Sequence, residues 1–111
     1  MSGSSIHVIT LSGELEIGRK NEIREALRFS AAPAPAPALV DCSGVTYADS
    51  TALAQLMRFH READTAGVKV ALLIGSRQFA RLLQYAGLGD VFHVFESRAA
   101  ALSYLGTQNA T

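Results

Sequence analysis

A single α/β domain, built on a small, mixed and mostly parallel sheet of about five strands with four helices, is what this sequence predicts. Two observations carry that reading. The chain has 111 residues, 49% apolar and 18% charged, which suits one packed core and is too weakly charged for a disordered chain. Its hydrophobic pattern switches between periods of two and about 3.6 in the order β-β-α-β-α-β-α-β-α. After an opening hairpin, such alternation implies crossover connections between parallel strands.

Residues 6–10 alternate as a first strand. Leu11, Ser12 and Gly13 read as a tight turn. Residues 14–17 follow as a second strand with Leu15 and Ile17 on one face, and this hairpin is the one antiparallel place expected in the sheet. Gly18 opens a helix over 19–29, on which Ile23, Ala26 and Leu27 share a buried face. Residues 31–38 alternate alanine with all the prolines of the chain. Proline fixes φ and lacks an amide hydrogen, so this segment reads as an extended surface connector. It has no flanking charge or aromatic anchor to make it a proline-recognition motif.

Residues 39–42 read as a buried third strand and 43–48 as a loop. A long helix follows over 50–65. Ala52, Leu53, Leu56, Met57, His60 and Ala63 lie on its apolar face, and Gly67 suits a left-handed cap beyond it. Residues 68–74 make a fourth strand. Ser76 caps a helix to about Ala86, with Phe79, Leu82, Leu83 and Ala86 turned inward. Residues 91–95 form the last strand. Ser97 caps a final helix to about Leu105, with Leu102 and Leu105 inward. The domain is expected to span 5–105, and the polar tail 106–111 to fray.

Several functions lack a chemical basis here. Ten basic and ten acidic residues cancel, and no basic stripe interleaved with aromatics offers a grip on nucleic acid. No apolar run approaches the roughly 20 residues needed to span a bilayer, and no signal peptide is evident, which makes the cytoplasm the expected location. His7, His60 and His93 pair with neither one another nor Cys42 at ligand spacing, so no metal site is expected. Cys42 lies in an apolar strand and reads as a buried, inert thiol. No glycine-rich phosphate loop occurs, and no cofactor is implied. Ser50 sits between a strand and a helix, but the glycine frame of a hydrolase elbow is missing around it.

Asp49, Ser50 and Thr51 remain. All three residue types favour helix caps, where they satisfy the free amides of the first turn. A hydroxyl there is also open to a modifying enzyme. A phosphate added at that point gains about 0.3–1 kcal/mol from the helix dipole and brings a charge of about −1.5 to −2. The domain should tolerate it where a close-packed partner would not.

Taken in order, these segments resemble the STAS domain of bacterial anti-sigma factor antagonists. The run Leu11, Ser12, Gly13, Glu14, Leu15, Glu16 is similar to that family's opening hairpin. Residues 39–53, including Asp41, Gly44, Asp49, Ser50 and Thr51, resemble its signature strand, loop and helix start. Ala66, Gly67 and Val68, then Ala86, Gly87 and Leu88, match later landmarks. Ala52 stands where the family commonly has glycine, and Glu16 where the hairpin usually ends in Asp. The family fold is a small mixed sheet with helices packed mainly on one side.

The resemblance implies a protein that is not an enzyme. Its partner-binding edge would be Tyr47, Asp49, Ser50, Thr51, Ala52 and Leu53. In that family the serine directly after the Asp, here Ser50, is phosphorylated by a partner anti-sigma factor that is itself a serine protein kinase. The unphosphorylated form binds the anti-sigma factor and frees the sigma factor, and a phosphatase restores that form. STAS domains also serve as stressosome components and as tails of anion transporters, and the alternative role for this chain is a non-phosphorylated adaptor subunit on the ATPase of a lipid-transport ABC system.

Overall fold

The computed structural model describes residues 6–29 and 36–106. Strand β1 spans His7–Leu15 and leads through a single 3-10 turn, Ile17–Arg19, into α1, Lys20–Ala26. Strand β2 is Ala38–Ala48, and helix α2, Ser50–Thr65, follows it. Then come β3 (Val70–Ile74), α3 (Arg77–Tyr85), β4 (His93–Phe95) and α4 (Arg98–Gly106). The strands lie in the order β1-β2-β3-β4, and every neighbouring pair is parallel.

The expected hairpin at Leu11, Ser12 and Gly13 does not form, and the sheet has four strands where about five were expected. β1 runs straight through that triplet. Ile9, Leu11 and Leu15 are all buried, so one inward alternation continues across the supposed turn. The strand has a partner along its whole length because residues 43–48, expected as a loop, extend β2. Ser12 lies opposite Gly44, and Leu15 opposite Ala48. The local turn signal is spent on irregular register instead. The pairing shifts between Thr10 and Ser12 and again between Gly13 and Glu14, and Gly13 has φ 76°, a conformation that suits glycine. Arg19 braces this stretch by donating from Nη1 to the carbonyls of Ser12 (2.7 Å) and Glu14 (2.9 Å).

Sequential strand order decides where the helices go. Successive crossovers of one hand, all stepping the same way, place their helices on one face of the sheet. That face is the main core. Ile9, Leu11 and Leu15 of β1, Val40 and Cys42 of β2, and Leu72 and Ile74 of β3 meet Ile23 and Leu27, Leu56 and Phe59, and Phe79 and Leu83 there. α4 follows the last strand, and its Ala101 and Leu105 cover Leu39, Ala71 and Leu73 on the opposite face. Helices packed mainly on one side are thus a consequence of the topology.

The helical faces differ in detail from the periodicity. On α2, Gln55 and Phe59 are buried, while Met57 and His60 are only half-buried. Phe59 meets Phe29 edge to face at 5.9 Å, and Gln55 Oε1 accepts from Arg58 Nε at 3.2 Å. Ala86 is exposed beyond the end of α3. Residue 30, most of the alanine-proline connector (31–35) and the tail beyond 106 lie outside the described residues. Where the chain re-enters, Pro37 accepts from His7 N at 2.9 Å and Ala38 N donates to Lys69 O at 2.9 Å, which lays the connector's end across the start of the sheet.

Candidate functional site

In an all-parallel sheet the carboxyl ends of the strands share one edge, and each following helix starts there. The amino-terminal ends of α2 and α3 are therefore neighbours. Asp49 caps α2 with an extended backbone (φ −116°, ψ −172°), and its Oδ1 accepts from Thr51 N at 2.8 Å and Ala52 N at 3.4 Å. Its own amide donates to Leu15 O at 3.1 Å, tying the cap to the end of β1. From the other side, Gln78 of α3 brackets Ala48. Ala48 N donates to Gln78 Oε1 at 2.9 Å, and Gln78 Nε2 donates to Ala48 O at 2.7 Å. One amide side chain thus stands in for a neighbouring strand just where β2 ends.

On this braced platform Ser50 is exposed and Thr51 half-buried. Tyr47 is 45% exposed beside them. Ala52 and Leu53, expected on the partner-binding edge, are in the core at 0% and 9% exposure. Both already lay on the apolar face by helical spacing, and packing against the sheet takes them away from any partner. Of the expected edge residues, Tyr47 and Ser50 are exposed and Asp49 and Thr51 half-buried. Gln78 was missed from the sequence. Its partner is 30 residues away, and only the parallel order, which brings two helix starts together, could have pointed to it.

The chemistry at the edge is simple. The carboxylate of Asp49 has taken the Thr51 and Ala52 amides, so a phosphate on Ser50 would find those donors occupied and keep its charge facing outward. No histidine is brought to Ser50. His7 opens β1, and His93 pairs with Ala71 near the start of β3, both towards the opposite edge of the sheet. His60 lies ten residues along α2, about 15 Å from its start, where its ring meets Phe92 at 5.2 Å. Burial pushes the Cys42 thiol up to about 12, with the Asp41 charge adding to the effect, so the thiolate is inaccessible at neutral pH. Among the described residues no group of three His, Cys, Asp or Glu side chains could hold a metal ion. No described helix is long and apolar enough to cross a membrane.

A four-stranded parallel sheet with three crossover helices on one face and the last helix on the other, carrying a capped, hydroxyl-bearing helix start at its carboxyl edge, defines a class. The STAS domain model matches residues 3–101, and the chain belongs to that family. An anti-sigma-F factor antagonist of Mycobacterium tuberculosis, RsfA, is 29% identical over 98 residues, covering 86% of this chain and 77% of the relative, and its counterpart in a second strain matches equally. A sulfate transporter family protein from Wolinella succinogenes superposes with a TM-score of 0.75 over 96% of this chain and 88% of its own, at 19% identity. At that identity the likeness is one of fold.

Proposed function

We propose that this chain is an anti-sigma factor antagonist that works as a phosphorylation-controlled switch. Its unphosphorylated form docks an anti-sigma factor through Tyr47, Asp49, Ser50 and Thr51. A serine kinase, the anti-sigma factor itself, phosphorylates Ser50 and ends the contact, and a phosphatase restores it. The domain, taken as 5–105, acts in the cytoplasm, without cofactor and without a reaction of its own.

The observation that carries this reading is the exposed Ser50 hydroxyl on a helix start whose Thr51 and Ala52 amides already donate to Asp49. Phosphate added there leaves the fold's hydrogen bonds in place. It stands where a partner would have to bury it, and a buried, unpaired charge is strongly unfavourable. The similarity to RsfA supports the choice of partner class.

The test is incubation of wild type, Ser50→Ala and Thr51→Ala with the cognate kinase and ATP, read by intact mass. One phosphate is expected on wild type and on Thr51→Ala, and none on Ser50→Ala. Phosphate on Ser50→Ala but not on Thr51→Ala moves the acceptor to Thr51. No phosphate on wild type with a demonstrably active kinase overturns the switch and leaves the ABC-ATPase adaptor as the reading to pursue.

A further inference from the structure

α3 carries two arginines and no acidic residue. Arg77, Arg81 and Tyr85 recur at every fourth position, which makes them one stripe along a helix face. That face points outward, because Phe79 and Leu83 hold the opposite one in the core. Both arginines are exposed, and Tyr85, at 89%, is the most exposed large apolar side chain among the described residues.

The arginines elsewhere are placed differently. Arg19 pairs with Glu22, Arg28 with Glu25, Arg58 with Glu62 and Arg98 with Asp41. Arg24 and Arg61 sit on helices that carry acidic residues of their own. Neither Arg77 nor Arg81 has a carboxylate partner among the described residues. Along the stripe runs a groove of about 460 Å³, lined by Arg77, Gln78, Arg81, Leu82 and Tyr85. Arginine and tyrosine around an apolar floor are the residue types enriched in protein interfaces and their hot spots.

We propose that this stripe is a docking surface for an acidic face of the same anti-sigma factor, one that sets carboxylates against Arg77 and Arg81 and an apolar side chain against Tyr85 and Leu82. Charge complementarity selects the acidic partner. Continuity with the Ser50 edge comes from Gln78, which lies next to Arg77 in the chain and is bonded to Ala48. The inference rests on the switch proposed above and gives it a sign: the carboxylates that the arginines attract are those that a phosphate on Ser50 repels.

The experiment measures binding of the full chain to the cognate anti-sigma factor at low and high salt, for wild type, Arg77→Glu/Arg81→Glu, Arg77→Lys/Arg81→Lys and Ser50→Asp. The charge reversal is expected to weaken binding by about 30-fold or more and to remove most of its salt dependence, while the lysine variant stays much closer to wild type. Circular dichroism melts should match throughout, because both arginines are exposed. If the charge reversal binds like wild type while Ser50→Asp is weakened, the stripe is wrong and the switch stands. If Ser50→Asp binds like wild type while the charge reversal is weakened, the stripe stands and the switch fails. Should wild type not bind the anti-sigma factor at all, the switch fails, and a helical peptide bearing two glutamates four residues apart and a following leucine decides the stripe. Amide shifts on α3 with that peptide, and none with its lysine counterpart, support the stripe; no shifts, or equal shifts with both peptides, overturn it.

Discussion

Two aspartates, eight residues apart and each followed closely by a serine, do opposite things with that serine. Asp41 lies inside β2 at 8% exposure. Its Oδ1 accepts from the Ser43 hydroxyl at 2.6 Å and the Ser43 amide at 3.0 Å, and its Oδ2 accepts from Arg98 Nη1 at 2.6 Å. Asp49 lies at a helix start and uses its carboxylate on the amides of Thr51 and Ala52. The first serine hydroxyl is consumed within the fold, and the second is left to solvent. An Asp with a nearby Ser is therefore no signal by itself. Both carboxylates take backbone amides, and what matters is whether the serine hydroxyl is also brought onto the aspartate, as at Ser43 and not at Ser50.

The largest effect expected tests the scaffold beneath the Asp49 pair. Leu56, at 1% exposure, sits under the α2 platform. Leu56→Ala should cost about 2–5 kcal/mol in urea unfolding. A cost below about 0.5 kcal/mol, typical of surface positions, would mean the platform does not rest on this face.

Ser50→Asp comes next. It should weaken anti-sigma factor binding by about 2–5 kcal/mol, roughly 30- to several-thousand-fold, with little change in melting temperature. A clear drop in melting temperature would show that Ser50, like Ser43, belongs to the fold, and the contrast between the pairs would collapse.

Asp41→Asn should cost about 1–3 kcal/mol at neutral pH by weakening a nearly buried acceptor. Burial alone would raise the Asp41 carboxyl, but the Ser43 bonds and the Arg98 guanidinium outweigh it and hold the group below its ordinary value of 3.8. The ionised form is the one the fold stabilises. That contribution is complete well above 3.8 and is lost as pH falls through the lower folded-state value. Stability curves of wild type and Asp41→Asn should converge in acid below about pH 4. Parallel curves throughout would remove the charge from the account.

Asp49→Ala is the smallest, about 0.5–2 kcal/mol as for other lost caps. It sharpens the comparison if α2 amides near its start exchange faster while those of β2 do not.

What was legible in the sequence was local. The caps Asp49, Ser76 and Ser97 act within three residues, so their side-chain chemistry could be read directly, as could the inward faces of Leu56 and Phe79. Leu11, Ser12 and Gly13 show the limit. A sound turn signal was overruled by pairing with residues 44–48, some thirty residues away in the chain. Gln78 was illegible for the same reason. Ala52 and Leu53 were misplaced differently: motif reasoning assigned them to a surface that their own helical spacing had already denied them.

Strand order that follows chain order has a consequence for how the protein is made. No strand has to be inserted between two already formed. As synthesis proceeds from the amino end, each new strand meets a growing sheet whose edge is its final neighbour, and the helix just completed has somewhere to lie. Among the described residues the partial chain is always a shorter sheet whose β1 edge is fixed early and whose other edge moves outward with each strand, and α4 comes after the strands to cover the remaining apolar face.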